Sequence, residues 1–201
     1  MMGDAEAAVE SMSDLPQGRL VAGVKAADPA ACGQLYDLFG HRLHRYIAVR
    51  LPGDDQLAEE LMLLTLAEAA HRIRSFNPRK ATLSAWLYGV ARRHVQRELR
   101  VRSRRKSVPA SAQVSLDDMR EQAIQEDIGD SVAARLQAQQ TVTELRRCLS
   151  DTEMEVLILH CMHQLSAIEI GKVLGRSERA IDSLLRRARQ KARERLAQDE
   201  R

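Results

Sequence analysis

Arginine carries the chemistry of this sequence. Between residues 176 and 187 stand Arg176, Ser177, Glu178, Arg179, Asp182, Ser183, Arg186 and Arg187, spaced as the outer side of a helix and the turn before it. Such a set can enter a DNA major groove and meet phosphates on its flanks. A second basic block runs from His71 to Lys106, with twelve lysines and arginines against the single acid Glu98. Between the two blocks the sign reverses, through Asp117, Asp118, Glu121, Glu126, Asp127 and Asp130. The formal net charge of +3 says little, but two basic blocks around an acidic stretch describe two footprints on one polyanion. A charge run is also what a solvated helix face looks like, so the elements that carry the charges must decide.

Other chemistry finds less support. His160, Cys161 and His163, with Cys148 upstream, suggest a zinc site, but their spacing matches no ligand pattern. His41 and His44 flank a helix face and read as solvated. There is no nucleophile–base–orienter set, no phosphate-cradling glycine loop and no carboxylate pair in a plausible cleft. An enzyme reading has no positive support, and no cofactor or metal is expected. Three cysteines with no paired spacing imply no disulfide framework. No apolar run reaches the length of a membrane span, and the acidic start is wrong for a signal peptide, so the chain reads as cytoplasmic.

The elements needed to position these residues are helices. Hydrophobic residues make up 44% of the 201 residues while aromatics make up only 3%, a mix that favours helix over strand. Residues 1–14 read as a disordered tail. A first helical domain is expected over 15–106. Leu20, Val21 and Val24 open it, and Asp28 with Pro29 starts a new helix. That helix has Leu35, Leu38, Phe39, Leu43, Tyr46 and Ile47 as its buried stripe. After a break at residues 51–55, Leu57, Leu61, Leu64 and Ala67 predict another amphipathic helix running to Ile73. Asn77-Pro78 ends it, and a further helix carries Trp86, Leu87, Val90, Ala91, Val95 and Leu99. Trp86 and Tyr88 lie two apart and cannot share a face, so one belongs to the core and the other nearer the surface. A lone Trp on such a helix is more often core.

Residues 107–140 read as a linker, partly helical towards its end. Fully extended it reaches on the order of 110 Å, so it does not restrict how far apart two domains sit. Residues 141–201 predict a second domain of four helices. Ser150 with Glu153, and Ser166 with Glu169, both match a capping box. The segment 165–189, LSAIEIGKVLGRSERAIDSLLRRAR, has the physics of a helix-turn-helix. Gly171 lets two helices approach where they cross, Gly175 suits a turn needing positive φ, and Ile170, Leu174 and Ile181 form the wedge. Ser177 can cap the last helix.

From about Leu20 to Leu196 the chain resembles the extracytoplasmic-function branch of the sigma-70 family. The resemblance is carried by FNPRKATLSAWLYGVAR at 76–92, LSDTEMEVL at 149–157, the helix-turn-helix and SLLRRAR at 183–189. It implies an all-α fold of two small helical domains joined by a linker, and a protein that lends promoter specificity to RNA polymerase. The family's polymerase-docking helix corresponds to residues 58–72, which places Glu59, Glu60, Leu63 and Leu64 against the polymerase β′ subunit; the β subunit is the other implied contact. Its −10-element helix corresponds to 86–100 with the loop before it, which assigns Arg79, Lys80, Trp86, Tyr88, Arg92, Arg93 and Arg97 to single-stranded bases. A cationic groove with a stacking surface suits that task. Its −35 element would be read by the helix bearing Arg179, Asp182 and Arg186. An anti-sigma protein is a further implied partner.

The sequence also departs from the family pattern. Leu63, Leu64, Leu66 and Ala70 stand where relatives carry a Gln-Glu pair and aromatics. Arg93 and Arg97 replace an Asn and an Asp, and Ala180 and Asp182 replace a Thr and a basic residue. Two other readings stay open: a self-contained helix-turn-helix regulator, and a sigma mimic that binds an anti-sigma protein.

Overall fold

In the computed structural model, residues 17–106 and 132–199 are described. The expectations for the 1–14 tail and the acidic stretch 117–130 lie outside them. The described residues are helical throughout, with turns between. The first helix, α1, is described over 17–25. It is followed by α2 (Pro29–Arg50), α3 (Asp55–Arg72), a single 3₁₀ turn (Ile73–Ser75) and α4 (Leu83–Lys106). After the gap come α5 (Val132–Cys148), α6 (Asp151–Leu157), α7 (Ala167–Leu174) and α8 (Glu178–Asp199). The helical end expected of the linker is the opening of α5.

Local chemistry sets these boundaries. Asp28 caps α2 by accepting from the Ala30 N–H at 3.0 Å, with Pro29 in the first turn. Gly53, at φ +82, turns the chain so that Asp54 can cap α3 through the Leu57 N–H. Thr82 does the same for α4 through Ala85. Both capping boxes form: Ser150 and Ser166 each accept from the backbone N–H of the glutamate three residues on, whose carboxylate accepts from the serine N–H at 2.9 Å. Between α6 and α7 the helix widens into a π turn (Ile158–Met162) before Gln164 reverses it at φ +56. Replacing Ser150 with alanine leaves the Glu153 backbone N–H without its Oγ acceptor, and a loss of about 1 kcal/mol in urea unfolding is expected.

Helices α2, α3 and α4 pack on one another, and α8 lies across α5, α6 and α7. A single core spans both groups, because α4 also packs against α7. Leu43, Tyr46, Ile47, Leu87 and Tyr88 on one side meet Val156, Leu159, Ile170 and Ile181 on the other, all nearly or fully shielded from solvent.

Three expectations need correction. Leu38 is 57% exposed and Leu64 49% exposed, so neither belongs to its helix's buried stripe, and Ala67 is also exposed. The seam of α3 is Ala58, Met62, Thr65, Leu66 and Ala69 instead. α3 carries apolar residues on nearly every side, so spacing alone cannot choose its inner face. Packing against both α2 and α4 selects the face where alanines allow close approach. His44 is not simply solvated: it is half-buried, with Nε2 3.3 Å from Asp55 at the start of α3.

Candidate nucleic-acid interface

The helix-turn-helix forms as its glycines require. Gly175 caps α7 in the left-handed region at φ +68, and a Cβ on Gly171 would lie 2.6 Å from the Arg176 carbonyl oxygen. The Arg176 N–H donates to the Gly171 carbonyl at 2.9 Å, so the turn is fastened at the point of closest approach. Ile170 and Ile181 are fully buried as the wedge, with Leu174 half-buried beside them. α8 therefore leaves the turn at a fixed angle.

Every residue expected on its outer side is exposed: Arg176, Ser177, Glu178, Arg179, Asp182, Ser183, Arg186 and Arg187. Ser177 also helps to start the helix, its Oγ accepting from the Ala180 N–H at 3.4 Å. A shallow groove beside these residues extends the basic surface to Arg189 and Arg193. On the inner side, Lys191 Nζ donates to both oxygens of Glu153 at 2.9 Å. That bond, against the opposing effect of burial and with help from Ser150, lowers the Glu153 pKa to about 2.

The set expected on and before α4 is divided. Arg79, Lys80, Arg93 and Arg97 are exposed. Arg93 pairs with Glu68 at 3.1 Å; burial raises the Glu68 pKa, but its bonds to Arg72 and Arg93 leave it lowered overall. Trp86 is half-buried, its ring centroid 5.5 Å from that of Phe76. Tyr88 is the core member of the pair, fully buried, and burial pushes its phenol pKa up to about 12. Arg92 is half-buried and turned towards α6, its Nε 3.1 Å from Glu155. Tyr88 and Arg92 are thus not on an open surface here: α6 and the π turn after it cover them. On α3, Glu59, Glu60, Leu63 and Leu64 are all exposed, and their spacing gathers them on one face.

The contact that covers α4 includes residues the spacing did not single out. Glu155, 2% exposed, accepts from the Tyr46 hydroxyl at 2.7 Å and from Arg92, and lies 3.8 Å from Arg50. Arg50, itself buried, also donates to the Asp151 carbonyl at 3.0 Å. Burial first, and the Glu155 charge second, raise the Tyr46 pKa and keep its hydroxyl a donor. His163 packs against both tyrosine rings, at centroid distances of 6.1 Å from Tyr46 and 4.8 Å from Tyr88. Its ring nitrogens have no hydrogen-bond partner, while its carbonyl accepts from Arg42 at 3.0 Å. Thr82 donates to Glu169 at 2.7 Å, and Arg146 to the Val49 carbonyl. One signal did exist: Arg50 falls four residues after Tyr46 on the buried stripe, where a charge demands a partner.

The histidine and cysteine cluster gathers no ligand set among the described residues. His163 faces the tyrosines, whereas His160 is held by the Leu165 carbonyl and Arg189.

Comparison with known proteins completes the picture. The family model "Sigma-70 region 2" matches residues 36–105, and "Sigma-70, region 4" matches 140–191. The chain belongs to the sigma-70 family. The first match takes in α3, α4 and most of α2, and the second the helix-turn-helix and the end of α5. This sigma-70 chain is similar to the ECF RNA polymerase sigma factor BldN of Streptomyces coelicolor, at 29% identity over 84% of this chain. It spans 61% of the length of that relative. Among solved structures, CnrH in complex with the cytosolic domain of CnrY aligns at TM-score 0.64 and 23% identity, covering 90% of this chain and 96% of that one. The sigma factor RpoE in complex with the anti-sigma factor NepR, from Bartonella quintana, aligns at TM-score 0.65 and 23% identity, covering 82% and 96%. These likenesses support the all-α fold in two regions. No helix of the described residues is long and apolar enough to cross a membrane.

Proposed function

We propose that this chain is a transcription initiation factor of the extracytoplasmic-function type. It binds RNA polymerase core in the cytoplasm through its β′ and β subunits, and directs the enzyme to promoters with paired −10 and −35 elements. One observation carries the reading: a helix-turn-helix with a fully exposed basic reading face shares the chain with a second basic helix, α4, and each lies within a match to a different sigma-70 region. A self-contained regulator has no need of that second surface. In this reading α8 meets the −35 duplex, and α4 with the loop bearing Arg79 and Lys80 meets the −10 strand. The face with Glu59, Glu60, Leu63 and Leu64 docks on core, the leucines making apolar contacts. The chain supplies recognition, and the bond-forming chemistry stays with the polymerase. Residues 15–106 and 141–201 act as the two working domains, with 107–140 as the tether. An anti-sigma protein suits it as a further partner, since the similar RpoE structure holds a sigma factor with an anti-sigma factor bound.

The test is capture of purified polymerase core, followed by transcription from a library of promoters. Co-purification with core and start sites sharing one −10/−35 pair are expected. Binding to duplex DNA without core would support the free-standing regulator, and binding neither would support the mimic. Within the active complex, Arg179→Ala should relax discrimination at one −35 position by about 1–3 kcal/mol. Arg187→Ala should weaken all sequences alike and reduce the salt slope by about 1. Identical sequence profiles for the two variants would argue against α8 as the reader.

A further inference from the structure

The exposed face of α8 is not uniformly basic. Asp182 stands in the middle of it, three residues after Arg179 and four before Arg186, so the three side chains share one stripe. Duplex DNA presents about one negative charge per 1.7 Å of its axis, and a carboxylate brought up to it is repelled. Glu178 has a local reason for its position: it opens α8, where the helix N-terminus favours negative charge. Asp182 lies one turn further on, beyond the reach of that effect. Aspartate is also among the weaker helix formers, so propensity does not explain it. Nor does pairing. On the inner side of α8 the charges are matched, Lys191 with Glu153 and Arg195 with Glu144. Among the described residues Asp182 has no ion-pair partner, although an arginine stands within about one turn on either side. Its acceptor oxygens open onto the same shallow groove as the donors of Arg186 and Arg189.

The base edges of the major groove decide what such a group can read. Guanine offers N7 and O6, both acceptors, and thymine offers O4 and a methyl, so a carboxylate gains nothing from either. Adenine sets its N6 donor beside the N7 acceptor, which opposes the second carboxylate oxygen. Cytosine offers the N4 amino group with no acceptor next to it. Arginine takes the opposite pattern, that of guanine. A stripe of Arg179, Asp182 and Arg186 is therefore matched to a duplex segment containing both guanine and cytosine.

We propose that Asp182 is a specificity-determining residue of α8, selecting cytosine at one position of the −35 element by accepting from its N4 amino group. The proposal deepens the initiation-factor reading and rests on α8 as its duplex reader. The negative charge acts in two ways. It weakens attraction to every duplex, and only a site with cytosine in the right place offsets that loss.

The experiment selects −35 sequences from a randomised promoter library, using sigma-free polymerase core with the full-length chain, its Asp182→Asn variant or its Asp182→Ala variant. The same three proteins without core are run on random duplex. Asp182 is exposed, so both variants should keep wild-type helicity by circular dichroism. For the wild type, one position should prefer cytosine over guanine by about tenfold. Asp182→Asn should move that preference to adenine, because an amide can bond N6 and N7 together. Asp182→Ala should flatten that position alone while tightening binding to all sequences at low salt. Tighter binding with an unchanged profile would overturn the proposal, since a solvent-facing acid would do no more than that. A change confined to guanine positions would also overturn it, by making Asp182 a positioner of the arginines. Selection without core but not with it would overturn the initiation-factor reading instead, and the three profiles would still judge Asp182. Selection of no duplex in either format would overturn α8 as a reader, and Asp182 with it.

Discussion

Lowering the pH from 7 to 4 is expected to cost the folded, closed chain about 3 kcal/mol through His163 alone. Burial, with the nearby charges of Arg42 and Arg45, pushes its pKa from 6.5 down to about 4. The ring lies between Tyr46 and Tyr88 with neither nitrogen bonded, so it offers a proton nothing to compensate the lost hydration. Between pH 6.5 and 4 the unfolded chain binds this proton and the folded one does not. Stability is therefore complete above 6.5, declines on acidification and reaches its floor near 4. Glu153 acts lower on the scale: its pKa of about 2 means its contribution is lost between 4.5 and 2, as Lys191 loses its partner. Urea unfolding followed by circular dichroism at several pH values from 7.5 to 4 measures the slope. His163→Leu should flatten it over that window, whereas a slope equal to the wild type's would remove His163 as its source.

Gly171→Ala is the second large effect, and its sign is what matters. An exposed helix interior gains about 1 kcal/mol when glycine becomes alanine. At Gly171 the new methyl would lie 2.6 Å from the Arg176 carbonyl oxygen, and the Arg176 backbone is tied to the Gly171 carbonyl through its N–H at 2.9 Å. The clash is with backbone, so relief requires α7 and α8 to part. Overpacking of this kind costs about 1–3 kcal/mol, which outweighs the helical gain. The shift also re-aims α8, so, with α8 as the proposed −35 reader, affinity of the holoenzyme for a −35 element should fall more than stability does. Gly33→Ala is the control: nothing lies within 4 Å of its new methyl in α2, and a rise of up to about 1 kcal/mol is expected. A Gly171→Ala protein as stable as Gly33→Ala would show that the crossing is looser than this geometry.

What could be read from the chain was local. The caps at Asp28, Ser150 and Ser166 and the break at residues 51–55 rest on bonds between residues two to four apart, so spacing is enough to find them. The helix-turn-helix belongs to this class: Gly171, Gly175 and the buried Ile170 and Ile181 sit within twelve residues, and the exposed arginines of α8 follow from helical periodicity once that wedge is set. The inner face of α3 was not of this kind. With Leu57, Leu61, Leu63, Leu64 and Leu66 spread around the helix, only the neighbours α2 and α4 decide which are covered, and they cover the alanine side.

The fate of Tyr88 and Arg92 was likewise beyond local reasoning. Their place on a basic helix suits nucleic acid, yet what faces them is Glu155 and His163, more than sixty residues away in sequence. Periodicity reports which side of a helix is apolar. It carries no information about which distant carboxylate will meet a buried arginine, because that pairing depends on how two independently formed helical layers dock. Pattern along the chain was enough for the helices, their caps, the exposed basic face of α8 and the family. Tertiary structure alone decided that the two halves share a core, and that a charged seam closes one candidate binding surface with the other half of the same chain.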